Sequence, residues 1–290
     1  MRRAIAISAR GLGTTSPNPP VGCVILDRAG ALVGEGYHRR KGEPHAEANA
    51  LTAAGPRAEG GTAVVTLEPC NHHGLTPPCR AALIGAGVAR VVVGVLDPTS
   101  RGEGGVAALR AAGVSVELGT LEEEALVVLD RWLAALRSGL PTLTWVYGIG
   151  ANGEPVGSQR LEAPDVEHDV LNLRASIDVV LTEEAAMSEG RPGEHGPGVF
   201  RLPPAVPPEP LALLRALAEG GARTVLIDGG EALVAPLAGV HPVGRVVAYL
   251  PDRPPSSAPV ATAHPLLPAG HRLAGIARVG TWLRVEGTPA

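Results

Sequence analysis

The sequence predicts an α/β protein of two domains, and three observations support that prediction. Short β-rich segments alternate with helical segments along residues 1–140, which is typical of a three-layer α/β domain. A second alternation, with longer polar and Pro-rich interruptions, follows the Leu140-Pro141 step. The length of 290 residues suits one large or two ordinary domains. We therefore place one domain at residues 1–140 and a second at residues 141–290.

Local patterns predict the elements of the first domain. Residues 2–10 form a short helix that ends at the glycines after it. Two β-rich segments, 21–27 and 31–37, are joined as a hairpin. Beyond them we expect helices at 44–53, 78–86, 106–112 and 121–138, and strands at 62–67, 90–95 and 114–118.

The second domain is predicted to be looser than the first. We expect strands at 142–147, 177–182, 224–227, 245–250 and 280–285, and helices at 211–219 and 231–237. Residues 151–170, 183–210 and 251–275 are polar or rich in Pro, Gly and Ala, and we expect them to be irregular.

Composition excludes several classes of protein. The 45% of hydrophobic residues is enough for a packed core. A net charge of −4 leaves no basic excess to neutralise phosphates, so we expect no nucleic-acid partner. No apolar stretch is long enough for a membrane span or a signal peptide, so we expect no membrane contact and a cytoplasmic location. Three cysteines do not make a disulfide framework.

The chemical signal is His45-Ala46-Glu47 followed by Cys70 and Cys79. One imidazole and two thiolates suit a tetrahedral Zn²⁺ that keeps its fourth position for water. We expect Cys70 at the N-terminus of a helix, with Cys79 about two helical turns further on. Glu47 is free to act as a proton shuttle beside the metal. This is the arrangement that zinc nucleobase deaminases use to replace an amino group by oxygen.

The main rival is a purely structural zinc site. Such a site is usually closed by a fourth Cys or His, and His72 or His73 is available for that role. Cys23, the third cysteine, lies in an apolar strand and is expected in the core.

Residues 1–140 resemble the deaminase domain of the bifunctional riboflavin-biosynthesis deaminase/reductase family. The matching segments are Thr15–Gly22, Gly34–His38, Pro44–Glu47, Thr66–His72, Thr76–Cys79 and Ala82–Arg90. The eight residues between the two cysteines are typical of that family. The resemblance implies a cytidine-deaminase-like fold, followed by a dihydrofolate-reductase-like fold. It also implies hydrolytic deamination of 2,5-diamino-6-ribosylamino-4-pyrimidinone 5′-phosphate, giving 5-amino-6-ribosylaminouracil 5′-phosphate and ammonia.

The same resemblance assigns roles to individual residues. His45, Cys70 and Cys79 would hold Zn²⁺, and Glu47 would shuttle protons. At the small-molecule substrate, the matching family positions are Asn18, His38 and His72.

Two positions in the first domain depart from the family pattern. Leu75 replaces a Lys or Arg, and Thr99 replaces an Asn, in segments that the family places near the ribose phosphate. Three explanations are open: another arginine substitutes (candidates are Arg39, Arg40 and Arg101), the phosphate is bound weakly, or the true substrate lacks it. The alternative function is therefore a paralogous deaminase of a related, unphosphorylated aminopyrimidine.

The second domain departs further. Gly139–Tyr147, Leu171–Thr182 and Val225–Leu237 resemble the reductase domain, but Val146 stands where the family has a lysine and Asn152 where it has an aspartate. We therefore expect a shortened, degenerate reductase half that does not use NADPH and persists as a packing or dimerisation platform in a homodimer or higher homo-oligomer. The alternative is a bifunctional enzyme that retains NADPH-dependent reduction.

Overall fold

The computed structural model describes residues 1–71, 77–99, 104–150, 153–184, 187–195, 200–252 and 267–290. The chain divides into two compact units, Met1–Asp130 with Glu194–Val199, and Arg131–Gly193 with Phe200–Ala290. The domain boundary after residue 140 stays a prediction, because compactness alone does not test where a folding unit ends. Among the described residues, no helix is both long and apolar enough to cross a membrane.

The first unit is built on a five-stranded sheet. In chain order its strands are β1 (Gly22–Leu26), β2 (Leu32–Tyr37), β3 (Thr62–Leu67), β4 (Arg90–Val95) and β5 (Ser115–Leu118). Their spatial order is β2-β1-β3-β4-β5. The β1–β2 hairpin and the β1–β3 pair are antiparallel, whereas β3, β4 and β5 run parallel. The predicted hairpin and the three later strands are thus confirmed.

Helices cover both faces of this sheet, as the predicted three-layer domain requires. They are α1 (Arg2–Ser8), α2 (Ala46–Ala54), α3 (Cys79–Gly85), α4 (Gly105–Ala111) and α5 (Glu122–Ser138). On one face Ala50, Leu83 and Leu109 from α2, α3 and α4 join a buried cluster with Cys23, which is a core residue as expected. On the other face Ala4 and Ile7 of α1 pack on Val24 and its neighbours.

Helix α2 lies close to strand β2 because small residues meet there. The helix buries Ala46, Ala50 and Ala54, one at every fourth position. A Cβ at Gly36 would stand 2.5 Å from the backbone nitrogen of Ala50 and 2.7 Å from the carbonyl oxygen of Ala46. Only glycine fits at this point of the strand, and the close approach fixes the first turn of α2 against the sheet.

The second unit contains an eight-stranded sheet of mixed direction. Its strands are β6 (Thr142–Ile149), β7 (Pro155–Val156), β8 (Val179–Thr182), β9 (Met187–Glu189), β10 (Thr224–Asp228), β11 (Val243–Pro251), β12 (His271–Val279) and β13 (Trp282–Pro289). The order is β12-β13-β11-β6-β10-β8-β9, with β7 paired to β6. The central strands β11, β6, β10 and β8 are parallel.

Three helices, α6 (Pro164–Arg174), α7 (Pro210–Glu219) and α8 (Glu231–Ala238), belong to this unit. Residues of α7 and α8 pack in the cluster on one face of the sheet, and those of α6 in the cluster on the other. The expectation of an irregular segment at 151–170 was wrong. Pro164 starts α6, Asp165 and Glu167 fall in its first turn, and Val166, Val170 and Leu173 are buried on one side. The polar residues around this amphipathic pattern made it hard to recognise in the sequence.

The expected helix after Cys70 was also wrong. Cys70 and Asn71 have no regular secondary structure, and Pro77 and Pro78 precede α3, which begins at Cys79 itself. A proline disfavours helical geometry in the residue before it and has no N–H to donate. The two cysteines therefore do not share a helix.

We predict that Gly36→Ala destabilises the first unit by about 1–3 kcal/mol, because the added methyl group overpacks the β2–α2 contact. Thermal or urea unfolding measures the change. Gly85→Ala is the matched control, since a Cβ there has nothing within 4 Å. Equal stability of the two variants would contradict the close packing of α2 on β2.

Candidate functional site

Three side chains from separate segments of the first unit converge. His45 lies at the N-cap of α2, Cys70 in the segment after β3, and Cys79 at the first position of α3. One ligand atom from each lies within 4.8 Å of the others. His45 Nδ1 is 3.7 Å from Cys70 Sγ and 3.3 Å from Cys79 Sγ. The sequence had singled out these three residues, and the fold brings them together.

The donor set fits a zinc ion. With Zn–S and Zn–N bonds of ordinary length at a tetrahedral angle, a sulfur and a nitrogen ligand stand roughly 3.6 Å apart. The two observed separations of 3.7 Å and 3.3 Å bracket that value. Among the described residues three ligands are available, and three ligands with an open fourth tetrahedral position are the pattern of catalytic zinc sites. His72 and His73, the candidates for a fourth ligand, lie outside the described residues. Among the described residues, His45, Cys70 and Cys79 form the group that could hold a metal ion.

Local backbone groups favour a thiolate at Cys70. The backbone N–H of Cys79, at the start of α3, donates to Cys70 Sγ at 3.2 Å. Hydrogen bonds from the Cys79 side chain first, and also from His45 and this N–H, lower the pKa of Cys70 to about 4. The pKa of Cys79 is raised beside that thiolate. A divalent cation replaces the proton that the two sulfurs share and lets both bind as thiolates.

Glu47 lies in the first turn of α2, two residues from His45. It is only 3% exposed and lies in hydrogen-bonding contact with the Cys79 side chain. Burial raises the pKa of Glu47; the His45 charge opposes this shift, and the Cys70 thiolate reinforces it. A carboxyl group whose pKa is raised by burial is suited to accept and return a proton near neutral pH.

Asn18 and His38 form a connected pair next to His45. The His38 and His45 rings are 5.0 Å apart in an edge-on arrangement. His38 Nδ1 lies 3.3 Å from the carbonyl oxygen of Pro44, so this nitrogen carries the proton and donates. His38 Nε2 then accepts from Asn18 Nδ2 at 3.2 Å. This orientation leaves Asn18 Oδ1 buried and without a hydrogen-bond partner among the described residues.

His38 is neutral in this environment. The side chain is 2% exposed, and burial, with the nearby His45 charge, lowers the pKa of His38 to about 4. A neutral ring with its proton on Nδ1 holds the Asn18 amide in one orientation, with the oxygen facing away from His38.

Asn49 was missed by the sequence analysis. Its side-chain amide donates to the Tyr37 carbonyl at 3.0 Å and to the Pro44 carbonyl at 3.2 Å. It therefore ties the end of β2 to the residue that precedes His45. An isolated asparagine one turn after His45, in a helix of alanines, was the available signal.

The structure describes only some of the other residues that the sequence singled out. His72, His73 and Leu75, together with Arg101, fall outside the described residues. Arg39 lies 5.8 Å over the ring of Tyr37, a residue that packs on the α1 face of the sheet. Arg40 is 3.9 Å from Glu43. Thr99 donates to Asp97 from both its backbone and its hydroxyl group.

In the second unit, Val146 is fully buried and packs in the cluster on the α6 side of the sheet. Asp228, its neighbour across the β6–β10 pair, is also buried. The Asp228 carboxylate accepts hydrogen bonds from Ser158 Oγ and N, both at 2.8 Å, and pairs with Arg174 at 3.0 Å. The buried Asp228 carboxylate therefore has its own cationic partner in Arg174. Asn152 lies outside the described residues.

The N-terminus of α8 is capped by a carboxylate from the same unit. Glu183 Oε1 accepts from the backbone N–H of Gly230 at 2.7 Å and of Gly157 at 3.3 Å. Its other oxygen is 2.9 Å from Arg160. The glycine-lined end of α8, where a phosphate group could otherwise bind, holds an internal anion.

Comparison with known proteins identifies the class first. Residues 1–95 match the family model of the cytidine and deoxycytidylate deaminase zinc-binding region. The matched residues include His45, Cys70 and Cys79. The fold and this cluster define the first unit as a zinc-binding deaminase domain.

Curated relatives match most of the chain. The chain is 36% identical over 285 residues to the riboflavin biosynthesis protein RibD of Mycobacterium tuberculosis, a match that covers 86% of this chain and 83% of that protein. RibD of Escherichia coli is 46% identical over 192 residues, covering 64% of this chain and about half, 52%, of the relative. The chain belongs to the RibD family of riboflavin biosynthesis proteins.

Solved structures agree with this family and with the expected fold. A diaminohydroxyphosphoribosylaminopyrimidine deaminase/5-amino-6-(5-phosphoribosylamino)uracil reductase of Thermotoga maritima superposes with a TM-score of 0.82 at 25% identity, covering 100% of this chain and 97% of that one. RibD of Acinetobacter baumannii gives a TM-score of 0.76 at 27% identity over the same shares. The deaminase domain followed by a reductase-like domain is therefore confirmed.

We predict that His38 stays neutral, with its proton on Nδ1, from pH 7.5 to pH 5, because its pKa is lowered to about 4. The stabilisation that goes with the neutral ring is complete above the ordinary histidine pKa of about 6.5 and is lost as the pH falls from there towards 4. Histidine ¹⁵N NMR measures both tautomer and midpoint. His38→Gln assigns the resonance, and a midpoint near 6.5 would contradict the buried arrangement.

Proposed function

We propose that this protein hydrolytically deaminates 2,5-diamino-6-ribosylamino-4-pyrimidinone 5′-phosphate in riboflavin biosynthesis. The observation that supports it most is the cluster of His45, Cys70 and Cys79 with the buried Glu47 carboxyl group beside it. The names of relatives support the substrate class, since a Buchnera aphidicola diaminohydroxyphosphoribosylamino-pyrimidine deaminase is 49% identical over 142 residues, 96% of its length. A cytoplasmic location and a homodimer or higher homo-oligomer stay predictions.

In this proposal His45, Cys70 and Cys79 hold the zinc ion. Zinc bound there supplies a Lewis acid that lowers the pKa of water into the neutral range. The two cysteine thiolates offset the charge of the ion. The backbone N–H of Cys79, at the start of α3, donates to the Cys70 thiolate and holds it in place.

Glu47 moves the protons of the reaction. Its carboxylate takes one proton from the attacking water and passes it to a pyrimidine ring nitrogen. As the new C–O bond forms at C2 and the C–N bond breaks, Glu47 delivers the second proton to the departing amino group. One water proton thus stays with the ring and the other leaves in ammonia. The first-turn position of Glu47, next to His45 and against Cys79, supports this role.

Asn18, His38 and His72 form the substrate-binding side of the site in this proposal. The unpaired Asn18 Oδ1 is an acceptor, and burying it empty costs free energy of about 1–3 kcal/mol. A substrate N–H or O–H group satisfies it. His38 acts by fixing the amide orientation through Asn18 Nδ2. His72, outside the described residues, is carried over from the family motif alone.

We further propose that the second unit neither binds NADPH nor performs the reduction. The Glu183 carboxylate at the N-terminus of α8 repels an incoming phosphate and already uses the Gly230 N–H group that would bind it. Val146 stands where the family pattern has a lysine, so this sheet has one cation fewer. The Asp228 carboxylate beside it is paired with Arg174. The alternative, a bifunctional enzyme, requires Glu183 to leave this position.

The alternative of an unphosphorylated substrate has one observation in its favour. Arg39 stacks on Tyr37, a residue of the α1 face, and Arg40 has Glu43 as an acidic neighbour. Each of these two arginines thus already has an interaction partner other than a phosphate group. The relatives named for phosphoribosylamino substrates favour the phosphorylated one.

We predict that Glu47→Gln lowers ammonia release by about 10²–10⁴-fold while zinc content stays at that of the parent, because the amide cannot carry protons. His45→Ala, in contrast, loses zinc and activity together. Glu59→Gln, an exposed change of the same chemistry, serves as the control. Unchanged ammonia release by Glu47→Gln would overturn the assigned mechanism.

The phosphate question is decided by comparing kcat/KM for the phosphorylated substrate and its dephosphorylated nucleoside. If the phosphate is bound, we expect the nucleoside to be worse by about 100-fold or more, because charge-assisted contacts to phosphate are lost. Equal values would instead support the alternative substrate.

For the second unit we predict no NADPH oxidation above a no-enzyme control with the deaminated product as substrate. We also expect Glu183→Ser to bind NADPH more tightly than the parent in a fluorescence titration, since the Gly230 N–H group is released. Glu167→Ser, an exposed glutamate of α6, is the control. Steady turnover by the parent protein would show that the reductase half is active.

A further inference from the structure

Glu68 is a buried acidic residue that the proposed mechanism does not use. It follows β3 and precedes Pro69 and Cys70 by one and two positions. Its side chain accepts two backbone hydrogen bonds, from Val106 N to Oε1 at 2.9 Å and from Asp97 N to Oε2 at 3.4 Å. Neither donor belongs to the metal cluster, so Glu68 connects the Cys70 segment to other parts of the first unit.

The two donors, Asp97 and Val106, lie in two different segments of the first unit. Asp97 lies in the segment after β4, and Val106 in the first turn of α4. The backbone of α4 also lies against this segment directly, because a Cβ at Gly105 would collide with the carbonyl oxygen of Pro69. The backbone at Pro69 is thus held by the hydrogen bonds of the Glu68 side chain and by the close contact with the α4 backbone.

The other side of Cys70 is held by α3. The Cys70 sulfur accepts the Cys79 N–H, and the Cys70 carbonyl accepts the Arg80 N–H at 3.4 Å. The Arg80 guanidinium donates to Asn71. Strand pairing ends just before, where the Glu68 N–H donates to the Val95 carbonyl. Pro69 has no N–H to donate, so Cys70 relies on these lateral contacts for its position.

We propose that Glu68 is a positioning residue that sets the place of Cys70 Sγ relative to His45 Nδ1 and thereby the affinity of the site for zinc. This inference rests on the proposed role of Cys70 as a metal ligand. The Glu68 carboxylate fixes the backbone two residues before that ligand, and a ligand held in advance loses less conformational freedom on metal binding. Its contribution is made through Cys70 and not by contact with the substrate.

The test compares Glu68→Ala and Glu68→Gln with a matched control, Asp27→Ala, in the full-length chain. Asp27 Oδ1 likewise accepts two backbone N–H groups, from Ala29 and Ala31, but in the β1–β2 turn. Zinc affinity is measured by competition with a chelator, the spectrum of the cobalt-substituted protein reports the thiolate geometry, and urea unfolding of the metal-free protein gives its stability.

We expect Glu68→Ala to weaken zinc binding by about 10–100-fold, the usual loss when a group that orients a metal ligand is removed. Glu68→Gln keeps an acceptor for Val106 N and loses the one for Asp97 N, so it should fall between the parent and Glu68→Ala. Asp27→Ala should lower stability and leave zinc affinity and the cobalt spectrum unchanged.

Loss of stability in both glutamate variants, with parental zinc affinity and cobalt spectrum, would overturn the inference and make Glu68 a stabilising residue only. If Glu68→Ala does not fold, Glu68→Gln decides the matter by the same two measurements. Cys70→Ser separates the two proposals: if it keeps parental zinc affinity, the ligand assignment fails, whereas if it loses zinc and the Glu68 variants do not, only the positioning role fails.

Discussion

The close packing of helix α2 on strand β2 is the constraint on which the site depends. Glycine at position 36 and alanines at 46 and 50 bring two backbones together at a distance that no larger side chain permits. The helix start is then fixed relative to the sheet, and with it His45 at the N-cap and Glu47 in the first turn. The Asn49 amide and the His38 ring reinforce this position through the Pro44 carbonyl. A displacement of α2 would move a metal ligand and the proposed proton shuttle together.

The electrostatics of the cluster follow from that geometry. Two sulfurs and an imidazole are held within bonding range of one point, and backbone N–H groups at the start of α3 favour negative charge there. Without a cation, the cysteines share a proton and their pKa values move in opposite directions. A divalent ion resolves this conflict by taking both as thiolates. The burial that raises the pKa of Glu47 comes from the same close packing. The fold therefore positions the proposed metal ligands and the proposed acid–base group together.

The candidate deaminase site and the start of α8 differ in the hydrogen bonding of their polar groups. In the first unit Asn18 Oδ1 has no hydrogen-bond partner among the described residues, as a site open to a ligand requires. In the second unit Glu183 uses the free N–H at the start of α8, and Asp228 is satisfied by Ser158 and Arg174. A site whose hydrogen-bonding groups and charges are already paired within the protein leaves few of them for a ligand. This contrast supports the proposal that the deaminase half is active and that the reductase-like half is not.

The sequence by itself determined the α/β class, most strands of both sheets and the set of His45, Glu47, Cys70 and Cys79, because hydrophobic periodicity and ligand chemistry are local properties of the chain. It did not determine that Cys70 lies outside a helix while Cys79 begins one, or that α6 exists, because prolines and polar residues conflicted with the local signals. Only the tertiary structure decided that Cys79 N–H donates to Cys70 Sγ, that Glu68 joins α4 to the Cys70 segment, and that Glu183 caps α8. The Glu68 and Glu183 contacts join residues far apart along the chain, and the Cys79–Cys70 bond joins two segments without regular pairing between them. Such partners are chosen by tertiary packing, which no short pattern records.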